Sequence, residues 1–268
     1  MTDHLRYAGL PAAAQADALR GIIRATPVLV TVLERLPELD LPDTWLVSGA
    51  IYNTVWNQLT GRPPLTGIND IDLFYFDASD LSYEAEDRAI KATDRVFADL
   101  PLPVQLRNQA RVHLWYPERF GEPYPALTSS REAIDRFASL THAVGARLDR
   151  AGEIELYTPF GLDDLFSFRI TPNRRMNNRA THEKKAERAR SVISRLFSAS
   201  TTRVGMPRCR GGLSHAVRTK ARIVRRSQRA TVDTSISRST SLHFGFIRAS
   251  IRRLGRGAGD PGARRHQR

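Results

Sequence analysis

The sequence predicts an α+β fold followed by a disordered basic tail, on three observations. First, short β-branched or aromatic segments alternate with amphipathic helical stretches up to about residue 197, with no internal repeat. Second, 41% of the 268 residues are hydrophobic, enough for a real core. Third, the charge is split: residues 1–200 carry 24 Lys and Arg against 26 Asp and Glu, whereas residues 201–268 carry 17 against 2. The net charge of +13 therefore belongs wholly to the last 68 residues. The expected division is a globular domain at 1–200 and an Arg-rich, low-order tail at 201–268.

The elements follow in order. Pro11 suits a helix start, and Ala12, Ala16, Leu19 and Ile23 fall on one helical face. Pro27 interrupts, and Val30, Leu33 and Leu36 continue a stripe in a second helix. Trp45-Leu46-Val47 reads as a strand ending at Ser48-Gly49, with a helix face at Ile51, Val55, Trp56 and Leu59 behind it. Gly61, Pro63 and Pro64 stop that helix. Asp70 to Phe76 alternates as a strand. Ser82 caps a helix running to about Asp99, with acids in its first turns. Strands are expected at Val104–Leu106 and Val112–Tyr116, and a helix at Ser130–Leu140. His142–Leu148 and Ile154–Thr158 form a hairpin about Asp149–Gly152. A short helix spans Leu162–Phe168, and an amphipathic one rich in Lys and Arg runs from Thr181 to about Phe197. In the tail, Val, Ile, Leu and Phe make up 13 of 68 residues, near the level at which chains stay disordered.

Several classes are excluded. One cysteine, Cys209, builds neither a disulfide framework nor a cysteine zinc site. The opening MTDHLRYAGL lacks the apolar run of a signal peptide, and the longest uncharged stretch, Thr44 to Gly61, is too polar to span a bilayer. The expectation is a cytoplasmic protein with no membrane partner.

Chemistry concentrates between residues 45 and 72. A strand, a turn of small residues (Ser48-Gly49-Ala50) and a helix lead through a loop to a strand that opens Asp70-Ile71-Asp72. Backbone amides at such a turn approach a phosphate, where the helix N-terminus adds positive charge. Residues two apart on a strand point the same way, so Asp70 and Asp72 share a face. A hard divalent cation resolves their repulsion, and Mg²⁺ commonly joins one or two carboxylates to substrate phosphates. The parts fit metal-assisted nucleotidyl transfer. The plain alternative is a solvated strand edge, and the 21 residues from Gly49 to Asp70 make a long connection.

The segment LVSGAIYNTVWNQLTGRPPLTGINDIDLFYFD resembles the opening motif of the nucleotidyltransferase-like proteins of the DNA polymerase beta superfamily. Four further segments, LSYEAEDRAI, RNQARVHLWYPERFG, AVGARLD and PFGLDDLFSFRITPN, resemble in order a narrower bacterial family known simply as nucleotidyltransferase family proteins. The resemblance covers roughly residues 25–195. It implies a small mixed sheet with helices on one face, Ser48 and Gly49 beside a triphosphate, and Asp70 and Asp72 as catalytic ligands of Mg²⁺ or Mn²⁺. It also implies a third carboxylate on the next strand, where this chain has Val104-Gln105-Leu106. Gln105 is neutral and a poor Mg²⁺ ligand, which puts activation of the attacking hydroxyl in doubt. Ala50, where the superfamily often has Ser or Gly, is a milder departure.

Arg107 and Arg111 either hold phosphates of the nucleotide or pair with acids such as Asp77 or Asp80. His113 and His142 read as structural. Asp163-Asp164 reads as helix N-terminal charge, and Arg174, Arg175, Arg179, Lys184 and Lys185 as a solvated basic face. The tail binds nucleic acid nonspecifically, or is a solvated extension, or is the product of a shifted reading frame; its composition favours the last two. The expected activity is transfer of a nucleoside monophosphate from an NTP to an acceptor the sequence does not name. The alternatives are a weak or inactive nucleotide-binding protein of the same fold, or nucleic-acid binding through the tail alone.

Overall fold

A computed structural model describes residues 3–175, 182, 183 and 187. The Thr181–Phe197 helix expectation falls almost wholly, and the tail entirely, outside these described residues.

Each apolar pattern finds its partner in a five-stranded mixed sheet. The helices are α1 (Ala12–Arg24), α2 (Pro27–Arg35), α3 (Gly49–Leu59), α4 (Tyr83–Val96), α5 (Val112–Phe120), α6 (Ser130–Asp135) and α7 (Asp163–Phe166). The strands are β1 (Trp45–Val47), β2 (Ile71–Tyr75), β3 (Val104–Asn108), β4 (Gly145–Leu148) and β5 (Ile154–Tyr157), in the order β3-β2-β1-β4-β5. The β2–β3 pair is parallel and every other pair antiparallel. The parallel pair needs a long crossover, which α4 supplies.

Alternation along the strands sorts side chains onto two faces. Leu46, Ile71, Leu73, Leu106 and Ala146 pack into the main core with residues of α1, α2, α3, α4 and α7. Trp45, Val47 and Phe74 point the other way, under Ala133 and Ile134 of α6 and under Leu127. Helices thus lie mainly on one face, with α6 as cover on part of the other. Its fit is tight. A Cβ on Gly145 would meet Ile134 Cδ1 at 2.7 Å and Trp45 Cε3 at 3.2 Å.

Local chemistry sets the ends. Ser82 caps α4, its hydroxyl accepting the Ala85 N–H at 3.2 Å. Asp149 Oδ1 accepts the N–H groups of Ala151 and Glu153, and Gly152 takes the left-handed conformation that closes the β4–β5 turn. In the long α3–β2 connection, Asn57 Nδ2 donates to Pro64 O (2.7 Å) and Thr66 O (2.9 Å), pinning the loop to its helix.

Some expectations are corrected. Val112–Tyr116 is helical, the start of α5, not a strand. The Asn108 side chain accepts the Ala110 N–H and starts a 3₁₀ turn that runs into α5, away from the sheet edge. The α6 helix stops at Asp135 rather than near Leu140, because Asn173 Nδ2 takes the carbonyls of Asp135 and Phe137. In α2 the buried stripe is Leu29, Val32 and Leu33, continued by Leu36 just past the helix, with Val30 only half-buried. No helix among the described residues is long and apolar enough to cross a membrane.

Candidate active site

The site forms where β1 hands over to α3. Val47 lies opposite Asp72 in the β1–β2 ladder, so the next two residues, Ser48 and Gly49, reach the end of β2 that carries Asp70. Ser48 makes the turn with φ 54° and ψ −106°, a conformation costly for a residue with a Cβ. Such strain persists where the surroundings over-determine it, and it clusters at functional sites. Here the Ser48 N–H is held by Val144 O at 2.9 Å, and its carbonyl accepts from Ile51 and Tyr52.

The Ser48 hydroxyl makes no capping bond to α3. The first N–H groups of the helix, at Gly49 and Ala50, are those an α-helix leaves without internal acceptors. A Cβ on Gly49 would meet nothing within 4 Å, and its φ is ordinary. Neither sterics within the chain nor backbone conformation demands glycine there. The open space lies where backbone amides and a helix dipole favour an anion.

Asp70 immediately precedes β2, and Asp72 lies within it; both are half-buried. Gln105 of β3 is the register partner of Asp72, and its Nε2 donates to Asp70 Oδ2 at 2.8 Å. A carboxylate accepts only, so the amide nitrogen must be the atom that faces it. That contact places Asp70, Asp72 and Gln105 on one face, the continuation of the one that α6 covers further along. Arg107, paired in register with Phe74, alternates onto the same face; it is 9% exposed, and its Nη1 donates to Leu106 O.

Arg111 is elsewhere. Beyond the far end of β3, its guanidinium pairs with Glu86 of α4 and its Nε donates to Leu81 O at 3.0 Å. Glu86 also accepts the Asn108 N–H at 3.0 Å. Burial pushes the neighbouring Tyr75 hydroxyl well above the usual tyrosine range, and the Glu86 carboxylate adds to this. The acids Asp77 and Asp80 hold Ser79 and Ser82, so neither is the partner of Arg111. The sequence offers Glu86 only as one of the acids in the first turns of α4, and its burial shows only in the structure.

Several of the other polar residues have partners within the fold. Asp163 accepts from Gly9 and Gln15 and pairs with Arg169, which also binds Asp164. The Gly9 N–H, chiefly, holds the Asp163 carboxyl below its ordinary range. His142 is buried against the Tyr52 ring, centroids 4.7 Å apart, and Arg175 pairs with Asp135. Arg174 is exposed, while Arg179, Lys184 and Lys185 lie outside the described residues.

Among the described residues no three His, Cys, Asp or Glu side chains gather into a metal cluster. The two carboxylates at the site nonetheless fit Mg²⁺ or Mn²⁺, since such ions take hard oxygen ligands and need only one or two from protein when phosphates supply others.

No curated protein matches the chain. A solved NMR structure, described as revealing a CCA-adding enzyme head domain, is similar to it: 28% identical, TM-score 0.50, with the match covering 68% of this chain and 88% of that one. A family model described as nucleotidyltransferase matches residues 34–196, more than half of the sequence. The strand–turn–helix, the sheet behind it and these matches agree: the chain belongs to the nucleotidyltransferase family.

Proposed function

We propose that this protein transfers a nucleoside monophosphate from an NTP to an acceptor hydroxyl, with Asp70 and Asp72 holding Mg²⁺ or Mn²⁺. The observation that carries the reading is the ladder register. By pairing Val47 with Asp72, it brings the anion-favouring start of α3 beside two carboxylates on one face. Ser48 and the Gly49 and Ala50 amides take the β- and γ-phosphates, and the bare Gly49 lets them approach closely. Arg107, on the same face, adds positive charge near the α-phosphate. A divalent ion bound there supplies charge neutralisation and draws electrons from the phosphorus. The acceptor oxygen bonds to the α-phosphorus as the bond to the β-phosphate oxygen breaks. Pyrophosphate leaves, and the hydroxyl proton passes to water.

Gln105 favours a second reading, slow or absent transfer with nucleotide binding retained, because an amide cannot take that proton. The similar solved structure is described as a CCA-adding enzyme head domain, which makes an RNA 3′ end the first acceptor to try. The test is calorimetric titration of ATP, GTP, CTP and UTP into the full chain, with and without Mg²⁺, for wild type and Asp70→Ala/Asp72→Ala. Binding that needs both the ion and the aspartates is the expected result. Equal binding by the double variant overturns the assignment.

A further inference from the structure

The geometry points to Gln105 as a positioning residue that limits the site to a single divalent cation. The inference rests on the proposal that Asp70 and Asp72 hold such an ion, and goes beyond it to how many ions the site accepts. A carboxylate at position 105 would face Asp70 across the 2.8 Å that Nε2 now spans. Two like charges at that distance need a proton or a cation between them, and a divalent ion bound with the nucleotide would supply the second. The amide N–H removes the need, because it satisfies Asp70 Oδ2 directly and adds no negative charge to hold a second cation.

The same bond fixes the Asp70 carboxylate in its plane. Each carboxylate oxygen offers two lone pairs, and the bond from Gln105 occupies one on Oδ2. Asp70 and Asp72 would together hold the one ion that arrives with the nucleotide. Asp72, directly opposite Gln105 in the ladder, gains no second acid across the strands. The site is thus shaped to accept the ion that arrives with the triphosphate, but not a separate one that would ionise the acceptor hydroxyl. A protein built this way binds metal–nucleotide but has no second ion to acidify the acceptor hydroxyl, so its proton is lost to water and transfer is slow.

The experiment is Mn²⁺ titration of the full chain, with free Mn²⁺ read by electron paramagnetic resonance. The nucleotide is α,β-methylene ATP, with the GTP, CTP and UTP counterparts run in parallel. One Mn²⁺ per chain is expected for wild type and two for Gln105→Glu. Gln105→Leu, which keeps the volume and loses the bond, should still bind one, several-fold more weakly. Two Mn²⁺ per wild-type chain, or one in a folded Gln105→Glu variant, overturns the inference. The wild-type count tests it even if Gln105→Glu fails to fold. No Mn²⁺ beyond what the nucleotide binds without protein, in any variant, overturns instead the reading of Asp70 and Asp72 as metal ligands, so the two failures are distinguishable.

Discussion

Replacing Arg111 with Met separates a structural arginine from a phosphate-binding one. Its partner, Glu86, lies on the buried stripe of α4, with side chains 13% exposed for Arg111 and 7% for Glu86. Met fills most of the volume but leaves the carboxylate with only the Asn108 N–H. Removing one member of a buried ion pair costs about 3–5 kcal/mol. The residual exposure puts this pair near the lower figure. For a folded unit of this size each kcal/mol moves Tm by roughly 2–4 °C, so a fall of roughly 6–12 °C is expected. Adding Glu86→Leu removes the stranded charge and should recover part of the loss. The recovery is incomplete because the Asn108 N–H then lacks an acceptor, at about 1–3 kcal/mol. Thermal unfolding by circular dichroism gives Tm, and titration with Mg²⁺–NTP below the transition gives affinity. An unchanged Tm with NTP affinity down tenfold would refute this reasoning and return Arg111 to the phosphates.

Two further outcomes test other parts of the structure. Gly49→Ala should hold or raise Tm, since the new Cβ meets nothing and Ala is favoured over Gly in a helix by roughly 0.5–1 kcal/mol. The same change should weaken NTP binding on the order of tenfold, about 1.4 kcal/mol, by blocking approach to the helix start; equal affinity would remove the phosphates from that turn. The second concerns acid stability. Because the folded Asp163 titrates below its unfolded value of about 3.9, its stabilisation is present above that pH and is lost as pH falls through the lower folded value. Asp163→Asn should therefore flatten the decline in stability below about pH 4, and an unchanged slope in acid denaturation would count against the Gly9 and Arg169 contacts.

What could be read from the sequence was mostly local. Most helices and strands, the Ser82 cap and the Asp149–Gly152 turn each depend on a few neighbouring residues and lie close to where the pattern places them, although β4 starts at Gly145 rather than His142. The Val112–Tyr116 segment does not. Its aromatic alternation looks like a strand, but a side-chain bond from Asn108, four residues upstream, had already turned the chain into a helix. The α6 end was equally hidden, because Asn173 lies far along the chain from the carbonyls it takes.

The candidate site divides the same way. Sequence alone pointed to Asp70 and Asp72 sharing a face through strand alternation, although Asp70 lies just before β2 and its bond from Gln105 is what holds it there. It also determined that a turn of small residues precedes α3, and that position 105 is not acidic. Tertiary structure decided that these meet. The register of β1 against β2 carries Ser48 and Gly49 to the aspartates, and the parallel pairing of β3 sets Gln105 opposite Asp72. It also decided between two arginines four residues apart: Arg107 remains on the strand and shares the site face, whereas Arg111 ends the 3₁₀ turn and faces Glu86. Register and side-chain partners come from contacts distant in sequence, which no local pattern encodes.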